Sequence, residues 1–89
     1  MRAVRCHDLI GPSGLRLDEL PDPTPDRGEI VIDVRAAAVN FPDVLLTYGK
    51  YQFKPPPPFI PGGEAAGVVT AVGEGVTHVR PGDRVAATL

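Results

Sequence analysis

The sequence lacks the features that mark several large classes of protein. Cys6 is its only cysteine, so no internal disulfide and no Cys-x-x-Cys zinc or redox pair can form. No stretch approaches the roughly 20 apolar residues of a membrane-spanning helix, and the first residues lack the apolar core of a signal peptide. These absences favour a reducing compartment, and we expect a cytoplasmic protein that does not enter a membrane.

An excess of one charge is also missing. Nine basic and eleven acidic residues give a formal charge of −2, and they are scattered along the chain. Because no basic run could neutralise several phosphates, nucleic acid is not an expected partner. His7 and His78 have no second ligand at metal-binding spacing, so we expect both to be solvated surface residues.

What remains is the composition of an ordinary folded protein. Hydrophobic residues make up 43% of the chain and charged residues 22%, which is typical of globular proteins. The 89 residues are enough for one small domain, and a domain of this size buries only about 60 to 65% of the surface that its unfolded chain exposes. We therefore expect a folded chain with a small margin of stability.

The alternation of apolar and polar residues predicts a mainly β protein. Residues 2–6 and 15–20 flank a Gly-Pro-Ser-Gly turn and predict a hairpin. Residues 30–36 show the clearest strand pattern, and two further strands are predicted after Glu64 and over the last six residues. The last strand leaves an open edge, which favours dimerisation or strand exchange.

One short helix is predicted between these strands. Asn40 is a suitable N-cap, Pro42 is tolerated in a first turn, and Gly49 can end the helix. Residues 50–63 that follow fit neither periodicity and contain four consecutive prolines, so they predict a stiff, exposed loop. Overlapping Pro-x-x-Pro steps in this loop also match ligands of SH3-type grooves, which is an alternative use for it.

Glycines are concentrated between Pro61 and Val85, which raises the question of a phosphate site. A dinucleotide fingerprint needs Gly-x-Gly-x-x-Gly between a strand and a helix. The nearest match starts at Gly73 but has His78 in place of the third glycine, and it contains Glu74, which would repel a phosphate. We expect these glycines to permit positive φ or close strand approach instead.

The order of several short motifs resembles a known family. The motifs are the segment "NFPDVLLTYGKY" at 40–51, Pro61-Gly62-Gly63-Glu64, Gly67, Gly73, Val76 and Gly82-Asp83-x-Val85. Together they resemble the medium-chain dehydrogenase/reductase superfamily, whose N-terminal catalytic half is a GroES-like, partly open β-barrel. The resemblance implies that residues 1–89 are the N-terminal part of that catalytic domain, truncated before its remaining strands and before the Rossmann domain that binds the cofactor.

Two positions separate the branches of this superfamily. Zinc-using alcohol dehydrogenases have cysteine where Asn40 stands and histidine where Gly63 stands, and a catalytic zinc needs three protein ligands. The chain resembles instead the zinc-independent quinone oxidoreductase branch, which includes ζ-crystallin. That resemblance implies no metal site, NADPH as the reductant, and a quinone or an α,β-unsaturated carbonyl compound as the substrate.

The resemblance also implies site residues. Tyr51 and Asn40 are the candidate catalytic residues, Asn40 is also the candidate cofactor-binding residue beside the nicotinamide, and Phe41 and Tyr48 are the candidate substrate-binding wall. Each has a structural alternative, since Asn40 can act as a helix cap alone, Tyr51 can pack against Phe53, and Phe41 and Tyr48 can be core residues.

Three other residues have expected structural roles. Asp43 complements the helix dipole, Glu64 holds neighbouring backbone or an arginine, and Cys6 is an inert buried thiol.

The function expected from the whole sequence is the catalytic-domain portion of an NADPH-dependent quinone or enone oxidoreductase, homodimeric and inactive when isolated. The alternatives are a non-catalytic GroES-like module for oligomerisation or partner binding, and a fragment of a zinc-type alcohol dehydrogenase relative.

Overall fold

A computed structural model describes all 89 residues, and it confirms the prediction of a mainly β protein with one short helix. The elements are β1 (Arg2–Cys6), a 3-10 helix (Pro12–Gly14), β2 (Leu15–Glu19), β3 (Ile30–Ala37), α1 (Phe41–Thr47), β4 (Glu64–Val72) and β5 (Arg84–Thr88). The strands form one sheet of two and one of three, and neither sheet closes into a barrel. No helix has both the length and the apolar character needed to cross a membrane.

The chain divides into two compact units. The first unit contains residues 1–21 and 39–63, and the second contains residues 22–38 and 64–89. The first therefore carries the β1–β2 hairpin, α1 and the proline-rich loop, while the second carries the sheet formed by β3, β4 and β5.

In the first unit, the predicted hairpin is present and is tied to the proline-rich loop. Strands β1 and β2 pair antiparallel, with Cys6 opposite Leu15. The backbone N–H of Cys6 donates to the carbonyl of Phe59 at 2.8 Å, and the N–H of Phe59 donates back at 3.2 Å. Cys6 is fully buried, as predicted, and its thiol donates to the carbonyl of Asp8 at 3.2 Å.

His7 is not the solvated residue that the sequence predicted, whereas His78 is exposed. Nε2 of His7 lies 2.6 Å from Oδ2 of Asp18, and Nε of Arg5 donates to the same oxygen at 2.7 Å. Asp18 stands opposite Ala3 on β1, and alternation places Ala3 and Arg5 on one face of that strand. His7 directly follows the last residue of β1. The hydrogen bond from Arg5, followed by that from His7, lowers the pKa of the Asp18 carboxyl below its ordinary value.

The second unit is an antiparallel sheet with β4 in the middle. Its buried centre is Val69, and β3 is interrupted by a bulge at Arg35, between the pairs that Val34 and Ala36 form with β4. Gly67 stands opposite Val34, and any Cβ at Gly67 would collide with the carbonyl oxygen of Asp33. This glycine therefore serves close strand approach, as predicted.

In the turn after β4, glycine allows a positive φ, as predicted, and does not form a phosphate site. Gly75 has a φ of 84°, and the next element of the chain is the strand β5 rather than a helix. A carboxylate oxygen of Glu74 accepts a hydrogen bond from Arg27 at 3.2 Å. The turn thus lacks the helix N-terminus that a dinucleotide fingerprint supplies to a pyrophosphate.

Candidate active site

Helix α1 begins at the predicted N-cap. Asn40 is extended, and Oδ2 of Asp43 accepts a hydrogen bond from the backbone N–H of Asn40 at 2.8 Å, within a reciprocal capping box. Pro42 lies in the first turn, where its missing N–H leaves no hydrogen bond unmade. The cap leaves Asn40 exposed at the surface, so capping and contact with a ligand are compatible.

The other end of α1 is a Schellman motif. Gly49 has a φ of 68°, its N–H donates to the carbonyl of Leu46 at 3.0 Å, and the N–H of Lys50 donates to the carbonyl of Leu45 at 3.0 Å. This motif fixes the backbone of Lys50 beside Tyr48. Nζ of Lys50 lies 5.9 Å from the centroid of the Tyr48 ring, within cation–π range.

Tyr48 contacts a residue that no sequence pattern indicated as part of the site. The backbone N–H of Gly11 donates to the carbonyl of Thr47 at 3.1 Å, and the Tyr48 ring covers Gly11 so closely that any Cβ there would collide with Cζ and lie 2.6 Å from the phenol oxygen. Gly11 also has a φ of 89°. The Gly-Pro-Ser-Gly motif predicted a turn at this position, but no pattern in it indicated contact with α1.

Three residues form an exposed stripe along α1, which we call the aromatic face: Phe41, Val44 and Tyr48. Their spacing places them on one side of the helix, and they are 73%, 38% and 44% exposed, respectively. Neither Phe41 nor Tyr48 is a core residue. The two predicted wall residues therefore share one accessible surface.

Tyr51 and Asn40 lie at different places relative to this face. Tyr51 is half-buried in the irregular loop after α1, and its phenol makes no hydrogen bond within the chain. Asn40 stands at the opposite end of α1 from Tyr48, about 12 Å along the helix axis at about 1.5 Å per residue. The structure thus places the wall residues on one face, Tyr51 beyond its C-terminal end and Asn40 at its N-terminal end.

The positions that distinguish zinc enzymes offer no metal ligands. Asn40 takes part in the cap, Gly63 has no side chain, and no group of three or more histidine, cysteine, aspartate or glutamate residues is arranged to hold a metal ion. The chemistry available on this surface is therefore that of a phenol, an amide, aromatic rings and nearby lysines.

The second unit has a cleft of a different character. It has a volume of about 670 Å³ and is lined by Ala36, Ala37, Ala38, Glu64, Ala65, Ala66, Ala86, Ala87 and Thr88. Methyl groups dominate this lining, and Glu64 is the first residue of β4, as predicted. The cleft can accommodate apolar surface, but it brings together no set of catalytic side chains.

Known proteins share both the sequence and this fold. An alcohol dehydrogenase of Moraxella sp. (strain TAE123) is 49% identical over 85 residues, which are 96% of this chain and 25% of that protein. The crystal structure of the human synaptic vesicle membrane protein VAT-1 homolog-like protein covers 100% of this chain with a TM-score of 0.96 at 38% identity, over 29% of its own length. The quinone oxidoreductase of Thermus thermophilus, also solved in complex with NADPH, covers 100% of the chain with a TM-score of 0.80 at 39% identity, over 26% of its own length.

The extent of these matches settles the family. The chain spans about a quarter of the length of the relatives it matches, and the family described as the alcohol dehydrogenase GroES-like domain matches residues 26–89. The GroES-like fold predicted from the motifs is confirmed by the structural neighbours. The chain therefore belongs to the alcohol dehydrogenase GroES-like domain family, within the medium-chain dehydrogenase/reductase superfamily.

Proposed function

We propose that residues 1–89 are the N-terminal part of the catalytic domain of a cytoplasmic, zinc-independent quinone or enone oxidoreductase that uses NADPH. The observation that carries the proposal is the accessible aromatic face, on which Phe41 and Tyr48 lie together. It is followed in the chain by Tyr51, whose phenol has no partner within the chain. The quinone oxidoreductase that was solved with NADPH supports the choice of cofactor.

The residues of this chain fit only one part of that cofactor. The Gly73–Gly75 turn is followed by no helix, and Glu74 places a carboxylate within it, so the chain offers no site for a pyrophosphate. The side-chain oxygen of Asn40 accepts the N–H of Asp43 in the capping box. The NH2 group of the same amide is a hydrogen-bond donor, which suits the carboxamide oxygen of a nicotinamide. We therefore assign Asn40 to the nicotinamide end and the phosphates to a Rossmann domain outside these residues.

The side chains of the surface position and polarise the substrate. A flat quinone or enone lies on the aromatic face, where Phe41 and Tyr48 exclude water and restrict its orientation. The Tyr51 phenol donates a hydrogen bond to the substrate carbonyl oxygen, on which negative charge develops during reduction. When bound, NADPH supplies the hydride. No metal is needed, because the phenol stabilises the oxyanion.

Activity is expected only when the cofactor domain is present. The product of the complete reading frame should oxidise NADPH in the presence of a quinone or an enone, whereas the 89-residue chain alone should not. Zinc in stoichiometric amounts in the active enzyme would instead support the alcohol dehydrogenase alternative. A reading frame that stops at Leu89 would favour the non-catalytic module.

Substitutions in the longer protein test the roles of individual residues. Tyr51→Phe should lower kcat by about a hundredfold, the usual loss for one donor to a developing oxyanion. Tyr48→Phe is the matched control, because it removes a phenol three residues away and keeps the ring of the wall. Asn40→Ser retains a capping oxygen and should raise the KM for NADPH without unfolding α1. Unchanged turnover and KM in Tyr51→Phe would remove Tyr51 from the site.

A further inference from the structure

We infer that the site on the first unit selects substrates that carry a negative charge next to the aromatic ring, with Lys50 as the residue that contacts this charge. The assignment of the ring as a quinone rests on the function proposed above. The charge preference rests on separate observations about the lysines.

Both lysines of the chain lie in the loop that follows the aromatic face. They are Lys50 and Lys54, and the residues between Asp43 and Glu64 contain no acidic side chain. This segment therefore carries two positive charges and no negative charge, in a chain whose formal charge is −2. An anion is therefore attracted to this segment more than to the rest of the chain, where acidic residues outnumber arginines.

The positive charge of this loop is not neutralised within the chain. Arg5, Arg27 and Arg35 each form an ion pair with a carboxylate, whereas neither lysine forms one. Both lysines are exposed. Their ammonium groups are thus available to an anionic ligand without the loss of an existing ion pair.

Lys50 is also positioned next to the ring that a flat ligand would contact. The Schellman motif fixes its backbone, and its Nζ lies 5.9 Å from the centroid of Tyr48. Tyr48 itself lies against Gly11. Because the ammonium group lies over the Tyr48 ring, a planar ligand that contacts the exposed part of the aromatic face meets Lys50 at the ligand's edge. An anionic substituent at that edge is then within reach of Nζ, while Lys54 adds to the local potential.

Two naphthoquinones of similar size, one anionic and one neutral, distinguish the effect of ligand charge on affinity from the effect of ring stacking. In 2-hydroxy-1,4-naphthoquinone the hydroxyl is ionised at neutral pH, whereas 2-methyl-1,4-naphthoquinone is neutral. In NMR titrations of the 89-residue chain at low salt, both should shift the amides around the aromatic face. The anionic compound should bind about three- to fivefold more tightly, which is the contribution of one exposed ion pair, and high salt should abolish the difference.

Two variants locate the preference. Lys50→Gln should reduce the ratio of the two affinities to about one. Arg80→Gln is the control, because it makes the same charge change at an exposed position of the second unit. This variant should leave the ratio unchanged. Equal affinity of the unaltered chain for both quinones, or a preference that survives in the Lys50→Gln, Lys54→Gln double variant, would overturn the inference. Absence of binding by the anionic quinone at the aromatic face would overturn it too.

A third compound separates this inference from the proposed function. Naphthalene-2-sulfonate is anionic and aromatic but is not a quinone. If it binds with the same dependence on Lys50 while the neutral quinone does not bind, the charge preference is supported and the assignment of quinones as substrates fails. If the two quinones bind equally well, the charge preference fails while quinone binding is retained.

Discussion

The ring of Tyr48 lies against the backbone of Gly11, a residue of the turn between β1 and β2. The same glycine donates its N–H to the last residue of α1, Thr47, and so satisfies one of the carbonyls that a helix end leaves without a partner. The position of the aromatic face therefore depends on the absence of a side chain in a distant turn.

Gly11→Ala should destabilise the chain by more than the cost of a positive φ alone. That backbone cost is about 1 to 2 kcal/mol. The Tyr48 ring is the end of a half-exposed side chain, so its displacement adds at most about 1 kcal/mol, the cost of a less favourable rotamer. Gly28→Ala is the matched control, because Gly28 has a φ of 79° and a Cβ there would meet nothing within 4 Å. The free energies of unfolding are compared by urea denaturation followed by circular dichroism.

The double variant Gly11→Ala, Tyr48→Ala isolates the contact. Because the ring is gone, adding Gly11→Ala to Tyr48→Ala should cost no more than Gly28→Ala costs in the unaltered chain. If Gly11→Ala and Gly28→Ala lower the free energy of unfolding equally in the presence of Tyr48, the ring moves aside at no cost. The contact with Gly11 would then contribute nothing to the position of the ring.

The first turn of α1 depends on the carboxylate of Asp43. Asp43→Ala removes the acceptor of the Asn40 N–H and a negative charge from the helix N-terminus, and it should lower the free energy of unfolding by about 0.5 to 1 kcal/mol. Asp8→Ala, which also removes an exposed carboxylate of the first unit, should have little effect. An equal loss in both variants would attribute the effect to net charge rather than to the cap.

Asp18 should make the stability of the chain depend on pH in acid. Arg5 and His7 lower the pKa of this carboxyl from its ordinary value of 3.8, so the unfolded chain binds the proton more readily than the folded one. The resulting stabilisation is fully present above the ordinary value and is lost as the pH falls through the lowered pKa. Asp18→Asn should therefore flatten the acid limb of a plot of unfolding free energy against pH.

The control for this experiment is another ion pair in a more exposed place. Glu74 pairs with Arg27 at 3.2 Å, with both side chains about four-fifths exposed, and exposed pairs of this kind contribute little. Glu74→Gln should leave the acid limb of the unaltered chain in place. A flattening of the same size in both variants would mean that Asp18 has no special role.

The features that local sequence could predict are those whose physical cause is local. Asn40 and Gly49 marked the two ends of α1 correctly, because capping depends on a few neighbouring backbone groups. The alternation of residues 30–36 identified β3 but not its bulge at Arg35, which depends on pairing with β4.

The features that the sequence did not predict arise from contacts between distant segments. His7 was expected in solvent, but hairpin pairing places it beside Asp18. The fit of Tyr48 on Gly11 depends on where α1 packs against the turn before β2, which no periodicity specifies. In the candidate site the contact of Tyr48 with Gly11 and the Schellman motif at Gly49 were visible only in the structure, while the roles of Tyr51 and Asn40 stay predictions.

The outer edge of β5 should mediate self-association of the 89-residue chain. Strand β5 pairs only with β4, so its other edge presents unpaired backbone N–H and C=O groups. Antiparallel pairing of two copies about Ala86 would place Arg84 opposite Thr88 of the second copy, with no like charges facing each other. Sedimentation or size-exclusion measurements should show a dimer that becomes more abundant as the protein concentration rises.

A charge placed on that edge should prevent the association. Thr88→Lys sets a second cation opposite Arg84 in the paired arrangement, and like charges directly across a strand pair destabilise it. Thr77→Lys makes the same substitution at an exposed threonine in the loop between β4 and β5 and should dimerise like the unaltered chain. A monomer at every concentration in the unaltered chain would exclude edge pairing, and a dimer that tolerates Thr88→Lys would place the interface elsewhere.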